Sequence, residues 1–371
     1  MRRRTAMVDR WVRPGLVLTA ALAACADSAV GPGVGEVVDL VQPWVESTPA
    51  TVGMDGTVLD HAVDDASRIP RFRSLLVARH GRLVLERYFG GAGPTTLHDV
   101  RSVTKSVVST LAGIAAANGF LPNLDTSIGT YLDADYLLDA GDRQITLRHL
   151  LTMTSGYEWN EISDDDYGRW IVTPNHVQFL LDRPRAASPG ATFTYNSAAV
   201  HALGVCLEAA TGIRLADFAR RYLFDVIGIG LAPWEGLDRG TVNGGAGLDL
   251  QARDLLRLGQ LFLQRGRSGD RQVVPAEWVD RATAPYFSWR SSFGAQRQIT
   301  YGYLWWVTDA STGEAFFAWG YGGQFIYVVP AEDLVVVATT DWRGVSGDVG
   351  ANALEAAVLE IILTGVLAAV R

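Results

Sequence analysis

The chain has 371 residues, 48% of them apolar and 19% charged, which is the composition of a folded globular protein and excludes a disordered or fibrous one. Its length allows one large core or two closely joined halves. The formal net charge of −8, with no basic stripe, argues against a nucleic-acid partner, because neutralising phosphates requires clustered cations.

In chain order, residues 1–24 read as an export signal. A basic flank, "MRRRTAMVDRWVR", precedes "PGLVLTAALAA", an apolar run too short to span a bilayer as a mature helix. The run ends in Leu22-Ala23-Ala24-Cys25, which resembles the lipobox of bacterial lipoproteins and implies acylation of Cys25 and membrane contact through it. An ordinary signal peptide, or an unprocessed tail with a chance cysteine, is the alternative. Residues 25–40, rich in small residues, suit a flexible tether. The remainder, 41–371, is expected to fold as one domain.

Two alternating runs at 74–90 meet at His80-Gly81 and predict a hairpin. Next, Val103, Val107, Val108, Leu111 and Ile114 mark one face of a helix that starts near Ser102 and stops at Asn118-Gly119. The middle of the chain predicts helices over 146–153, 175–182, 197–211, 214–226, 251–265 and 275–283, several of them ending at glycine. Strand patterns return late, in "ITYGYLWWV", "EAFFAWG", "QFIYVVP" and "LVVVATT". A helix over 350–370 closes the chain, and its Glu355 and Glu360 place it on a sheet rather than in a membrane.

The predicted fold class is therefore α+β. A mainly antiparallel sheet is built from both chain ends (41–119 with 296–371) and flanked by helices, with a helical region inserted over 120–295. Cys206 lies in the apolar stretch "AVHALGVCLEAATG" and reads as a small buried hydrophobe without a disulfide partner.

One charge stands apart. Of the 32 basic residues a single one, Lys105, is lysine, and it sits in "RSVTKSVVS". A helix beginning near Ser102 puts residues i and i+3 on one face, so the Ser102 hydroxyl and the Lys105 amine can meet. Lysine sheds its proton readily when desolvated, which arginine does not, so a neutral amine beside a hydroxyl is a general base beside a nucleophile. The alternative is a capping serine with a solvated lysine in the first turn. It fits badly, because a cation near a helix N-terminus opposes the macrodipole.

"RSVTKSVVSTLAGIA" resembles the nucleophile helix of the serine beta-lactamase-related family, which includes class C beta-lactamases, D,D-peptidases, esterases and 6-aminohexanoate-dimer hydrolases. "LRHLLTMTSGY", "PGATFTYNSAAVHALG", "GGAGLDLQARDLLRLGQLF", "YGYLWWV" and "WGYGGQFIYVVP" agree with that family in the same order, so the resemblance runs from about residue 50 to the end. It implies a beta-lactamase/transpeptidase-like fold and an acyl-enzyme mechanism. Ser102 matches the acylated serine and Lys105 the lysine of S-x-x-K. Tyr195 matches the catalytic tyrosine of Y-x-N, with Asn196 next and Ser197 in the slot usually held by asparagine.

The family's third motif falls on Gly320-Tyr321-Gly322-Gly323-Gln324. The resemblance implies an oxyanion hole from the backbone N–H groups of Ser102 and Gln324, with Asn196, Ser197, Tyr321, Gly322 and Gly323 at the substrate. That motif holds no lysine, arginine or histidine for a substrate carboxylate, which favours a small neutral ester or amide over a beta-lactam or a D-alanyl peptide. The expected protein is an exported, membrane-anchored serine hydrolase without cofactor or metal. A slow-turnover penicillin-binding or cell-wall-sensing module, or a D,D-peptidase, is the competing reading, and a scaffold without chemistry is a third. The carboxylates of "SDDDYGR" (163–169) read as a solvated loop, His149 as structural, and Trp159, Trp170, Trp305, Trp306 and Trp319 as core or acyl-pocket residues.

Overall fold

A computed structural model describes residues 37–371 except 162–164, 311–312 and 346. The export segment 1–24, Cys25 and most of the tether 25–40 lie outside the described residues, as do Ser163 and Asp164 of the acidic loop.

The strand patterns assemble into one eight-stranded antiparallel sheet. Its strands are β1 (Phe72–Arg79), β2 (Arg82–Tyr88), β3 (Phe287–Phe293), β4 (Gln296–Tyr301), β5 (Trp306–Ala310), β6 (Gly313–Gly320), β7 (Gln324–Val329) and β8 (Leu334–Thr340). In space they run β2-β1-β8-β7-β6-β5-β4-β3, so the early hairpin joins the late strands where β1 pairs with β8. His80 and Gly81 both take positive φ, 52° and 68°, which gives the tight β1–β2 turn the twist a two-residue hairpin needs.

Every residue of β7 and β8 is buried, so both faces of the sheet's centre are covered. Helix α1 (Gly56–Arg68) begins at Asp55, whose carboxylate accepts the Thr57 and Val58 N–H groups. It packs on β1 and on the C-terminal segment Ile361–Val366. Helix α2 (Val103–Ala117) touches β6 and β7, and α4 (Ala252–Leu263) lies on β1, β7 and β8. Between them, α3 (Ser197–Thr211) packs against α2. The last helix, α5 (Gly347–Glu360), continues through a wider π-helical stretch, Ile361–Val366, and a tight 3-10 turn to Ala369. Residues 347–369 are long and apolar enough to cross a bilayer. Here they dock on the protein, with Gly365 against Ala62 and Glu355 buried.

The sheet is larger than the two early and four late strands expected. "ITYGYLWWV" is two strands, not one, because the chain turns at Gly302–Trp305, with the Gly302 N–H on the Trp305 carbonyl (2.8 Å) and Leu304 at φ 60°. A side chain on Gly302 would lie 2.0 Å from the Ala282 carbonyl oxygen, which is why the break falls there. Strand β3 ("FSWRSSF") is the other addition. Its largely exposed polar edge carries no buried-strand signal, and it moves the start of the late sheet from 296 to Phe287. The helices stand close to expectation, and His149 closes a capping box at Thr146 by accepting that residue's N–H through Nδ1 (3.1 Å).

Candidate active site

The site is built where α2 begins. Val100 is fully buried, its N–H on the Leu248 carbonyl (3.0 Å), and a short ladder pairs Leu97–Asp99 with Asp249–Gln251. Arg101 takes φ 49°, an unfavourable conformation for a non-glycine residue, and the chain then turns into the helix with Ser102 as its N-cap. The Ser102 side chain makes no capping bond, which leaves its oxygen for Lys105.

Lys105 is 1% exposed, and its Nζ donates to Ser102 Oγ and to the Gly245 carbonyl, each at 2.7 Å. Helix α2 is buried nearly all round, so the amine cannot reach bulk water. That burial pulls its pKa down to about 7, with the Arg101 cation acting in the same direction and the Glu161 carboxylate opposing both. Gly245 can come this close because it has no side chain. A Cβ there would sit 2.8 Å from the Ser197 carbonyl oxygen.

Tyr195 precedes α3 in an extended stretch anchored by the Thr194 N–H on the Met153 carbonyl (2.8 Å). Its ring stacks on Trp306 (5.7 Å, 22°), meets Tyr301 edge-on, and lies 4.8 Å from Lys105 Nζ. Its phenol lies beside the Ser102 side chain in the same cleft. Burial, reinforced by the Glu161 charge, pushes the phenol well above its ordinary value and keeps it protonated. The structure thus brings Ser102, Lys105 and Tyr195 into one cluster.

The remaining expectations divide. Ser197 lines the cleft, but its N–H and Oγ are both engaged by Glu161, at 2.8 and 2.7 Å. Asn196 does not line the cleft. It is fully buried, and its Oδ1 caps α3 by accepting the Ala199 N–H.

Gln324, expected to give the second oxyanion donor, does not line the cleft: it is fully buried and opens β7 in register with Gly320, and its side-chain amide is tied to Thr340. The sequence register is off because β6 ends at Gly320, which abuts the segment before the nucleophile. A Cβ on Gly320 would lie 2.3 Å from the Val100 carbonyl oxygen. In the turn that follows, the Gly322 N–H is held by Glu355 (2.7 Å) and the Gly323 N–H by the Gly320 carbonyl (3.1 Å). Neither glycine lines the cleft, whereas Tyr321 does. Among the described residues the Ser102 and Tyr321 N–H groups have no protein partner, which leaves both for an oxyanion.

The cleft holds about 500 Å³. Trp289, Trp306 and Trp319 form an aromatic wall, joined by Tyr167 and Tyr195, while Trp170 and Trp305 belong to the core. Trp159 donates its indole N–H to Glu161 at 2.7 Å. Charged lining comes from Arg101, Arg290, Glu161, Asp165, Asp348 and Glu355. Arg101 is already engaged, 3.8 Å from Asp99 and over the Trp342 ring. Glu161, Glu355 and Trp289 were missed by sequence reasoning, for they lie far along the chain from Ser102 and in no local motif. Buried Cys206 has its thiol pushed up by desolvation and takes no part. No group of three His, Cys, Asp or Glu side chains among the described residues is arranged to hold a metal.

The beta-lactamase family model matches residues 71–360. This chain belongs to that family. It is 25% identical over 296 residues to the 6-aminohexanoate-dimer hydrolase of Paenarthrobacter ureafaciens, with 72% of each chain covered. It is 31% identical to esterase EstB of Burkholderia gladioli over a shorter stretch, 43% of this chain and 46% of that one. Among solved structures, the octameric penicillin-binding protein homologue from Pyrococcus abyssi superposes with a TM-score of 0.67 at 17% identity, covering 83% of this chain and 77% of the other, which shows the shared fold. The protein is a serine hydrolase of the beta-lactamase family.

Proposed function

We propose that this hydrolase cleaves an ester or amide through an acyl-enzyme on Ser102 and that beta-lactams are not its substrates. The observation that carries this reading is the buried Lys105 amine, 2.7 Å from Ser102 Oγ and pulled down to about 7. At neutral pH a large fraction of that amine is a free base. Lys105 takes the Ser102 proton as Oγ attacks the carbonyl carbon, and the N–H groups of Ser102 and Tyr321 receive the oxyanion.

Tyr195 stays a neutral phenol and is the donor to the leaving group. As its proton goes out, the one held by Lys105 comes in, so both groups end as they began. The acyl-enzyme then gives its acyl group to water by the same route in reverse. Two relatives named for amide and ester hydrolysis support this substrate class. Against a beta-lactam stands the 320–324 turn, which carries no cation for a carboxylate, in a cleft with four acidic side chains and two arginines.

The test is a panel of p-nitrophenyl esters, amino-acid amides and nitrocefin, with Ser102→Ala as control. Turnover of esters or amides, abolished in Ser102→Ala, is the expected result. Nitrocefin as the best substrate, or full activity in the control, overturns the reading. The N-terminal pattern supports export and lipid anchoring at Cys25, and palmitate labelling that disappears in Cys25→Ser is the corresponding check.

A further inference from the structure

The closing helix brings a carboxyl to the back of the oxyanion turn. Glu355, on α5, is 5% exposed and still lines the cleft that holds Ser102. Its Oε1 accepts the Gly322 N–H at 2.7 Å, and the Trp319 indole reaches the same carboxyl. On the other side of Gly322, the carbonyl accepts from Thr340 Oγ1 (2.5 Å), and the Gly323 N–H closes on Gly320 (3.1 Å). The peptide planes after Tyr321 are therefore tied down, and the Tyr321 N–H is the donor left over. Only one of these ties comes from outside the sheet, and it is Glu355.

We propose that Glu355 is a positioning residue of the oxyanion hole, holding the Tyr321 donor in place through the Gly322 N–H and doing so as an uncharged acid. This rests on the reading of Ser102 and Tyr321 given above. The surroundings favour the acid. Among the described residues no lysine, arginine or histidine pairs with Glu355. The charged and titratable groups facing it are Asp348 on its own helix, Arg290 on β3, Tyr321 in the turn and Tyr195 across the cleft.

Burial raises the carboxyl to about 8 and Asp348 adds to this, against weaker opposing pulls from the Gly322 N–H, Trp319 and Arg290. An acid with a raised pKa is neutral below that value and ionises as pH climbs through it. Once ionised, this nearly buried carboxyl sets a negative charge one peptide from the developing oxyanion, where burial weakens screening. Activity should therefore be lost on the alkaline side, while the acid side reports Lys105.

The experiment compares wild type, Glu355→Gln and Glu355→Leu by the pH dependence of ester hydrolysis followed in a pH-stat, and by hydrogen exchange of the peptide containing residues 320–324. Glutamine keeps an acceptor for Gly322 and cannot ionise. It should match wild type at pH 7 within about threefold, keep slow exchange, and hold its plateau where wild type declines above about pH 8. Leucine has no acceptor, so exchange in the turn should speed up and kcat should fall about tenfold at every pH with KM little changed.

An alkaline limb that persists in Glu355→Gln overturns the proposal, and so does slow exchange with full activity in Glu355→Leu. A Ser102→Ala protein that remains active would sink the hydrolytic reading instead. The exchange arm decides the tether in either case.

Discussion

Replacing Lys105 by arginine preserves the charge and removes the chemistry. With the lysine amine pulled down to about 7, roughly half of it is neutral at pH 7 and about a tenth at pH 6, so the wild-type rate should fall several-fold between the two. The sign follows from burial: the base form is the active one, and activity is lost as pH drops through the lysine's folded-state value. A guanidinium, with a pKa near 13.8, is neutral in fewer than about one molecule per million at pH 7. Acylation of Ser102 in Lys105→Arg should then drop by at least ~10⁴, equivalent to about 5 kcal/mol of barrier.

The assay is kcat/KM for a chromogenic ester between about pH 5.5 and 8, with fluorophosphonate labelling of Ser102 and a melting curve to confirm folding. Had Lys105 served only as a cation, steering substrate or neutralising Glu161, arginine would keep most of the rate. Turnover within tenfold of wild type in Lys105→Arg, or a flat wild-type profile across the acid side, refutes the argument.

Two further outcomes come from neighbouring contacts. Glu161 opposes the loss of the lysine proton, so Glu161→Gln should move the acid limb of kcat/KM to lower pH and raise the fraction of plateau rate at pH 6 by about two- to fivefold. A midpoint that stays put or rises contradicts this account. In Gly320→Ala the new methyl must find room where only 2.3 Å separates it from the Val100 carbonyl oxygen, a backbone atom that cannot swing aside. The end of β6 has to retreat from the nucleophile, and a displacement approaching 1 Å should cost about 10²-fold in kcat/KM while the melting temperature changes far less. Wild-type kinetics in that variant would show that the strand end does not set the oxyanion geometry.

Much of this was legible before any coordinates. The 3.6-residue spacing of Val103, Val107, Leu111 and Ile114 marked the nucleophile helix, and a lysine three residues after a serine brought the two groups together by helix geometry alone. The Gln324 assignment failed for a local reason. Gly320, Gly322 and Gly323 share one composition signal, while which N–H stays unpaired depends on Glu355, 33 residues along from Gly322, whose N–H it takes. Asn196 looked like a substrate ligand in the motif and became a helix cap because α3 starts one residue later. The strand count came out low because Gly302 breaks an apolar run that periodicity reads as continuous, and because the exposed polar edge strand β3 carries no buried-strand pattern.

Periodicity and residue chemistry, both local properties, were enough to determine the helices, the β1–β2 hairpin and the pairing of a nucleophile with an amine able to lose its proton. How far that amine is desolvated, which carboxylates face it and which backbone donor remains free belonged to the tertiary structure alone. Those properties arise from burial and from contacts between segments distant in the chain, and electrostatic energies in a buried site depend on distances that no spacing of letters encodes.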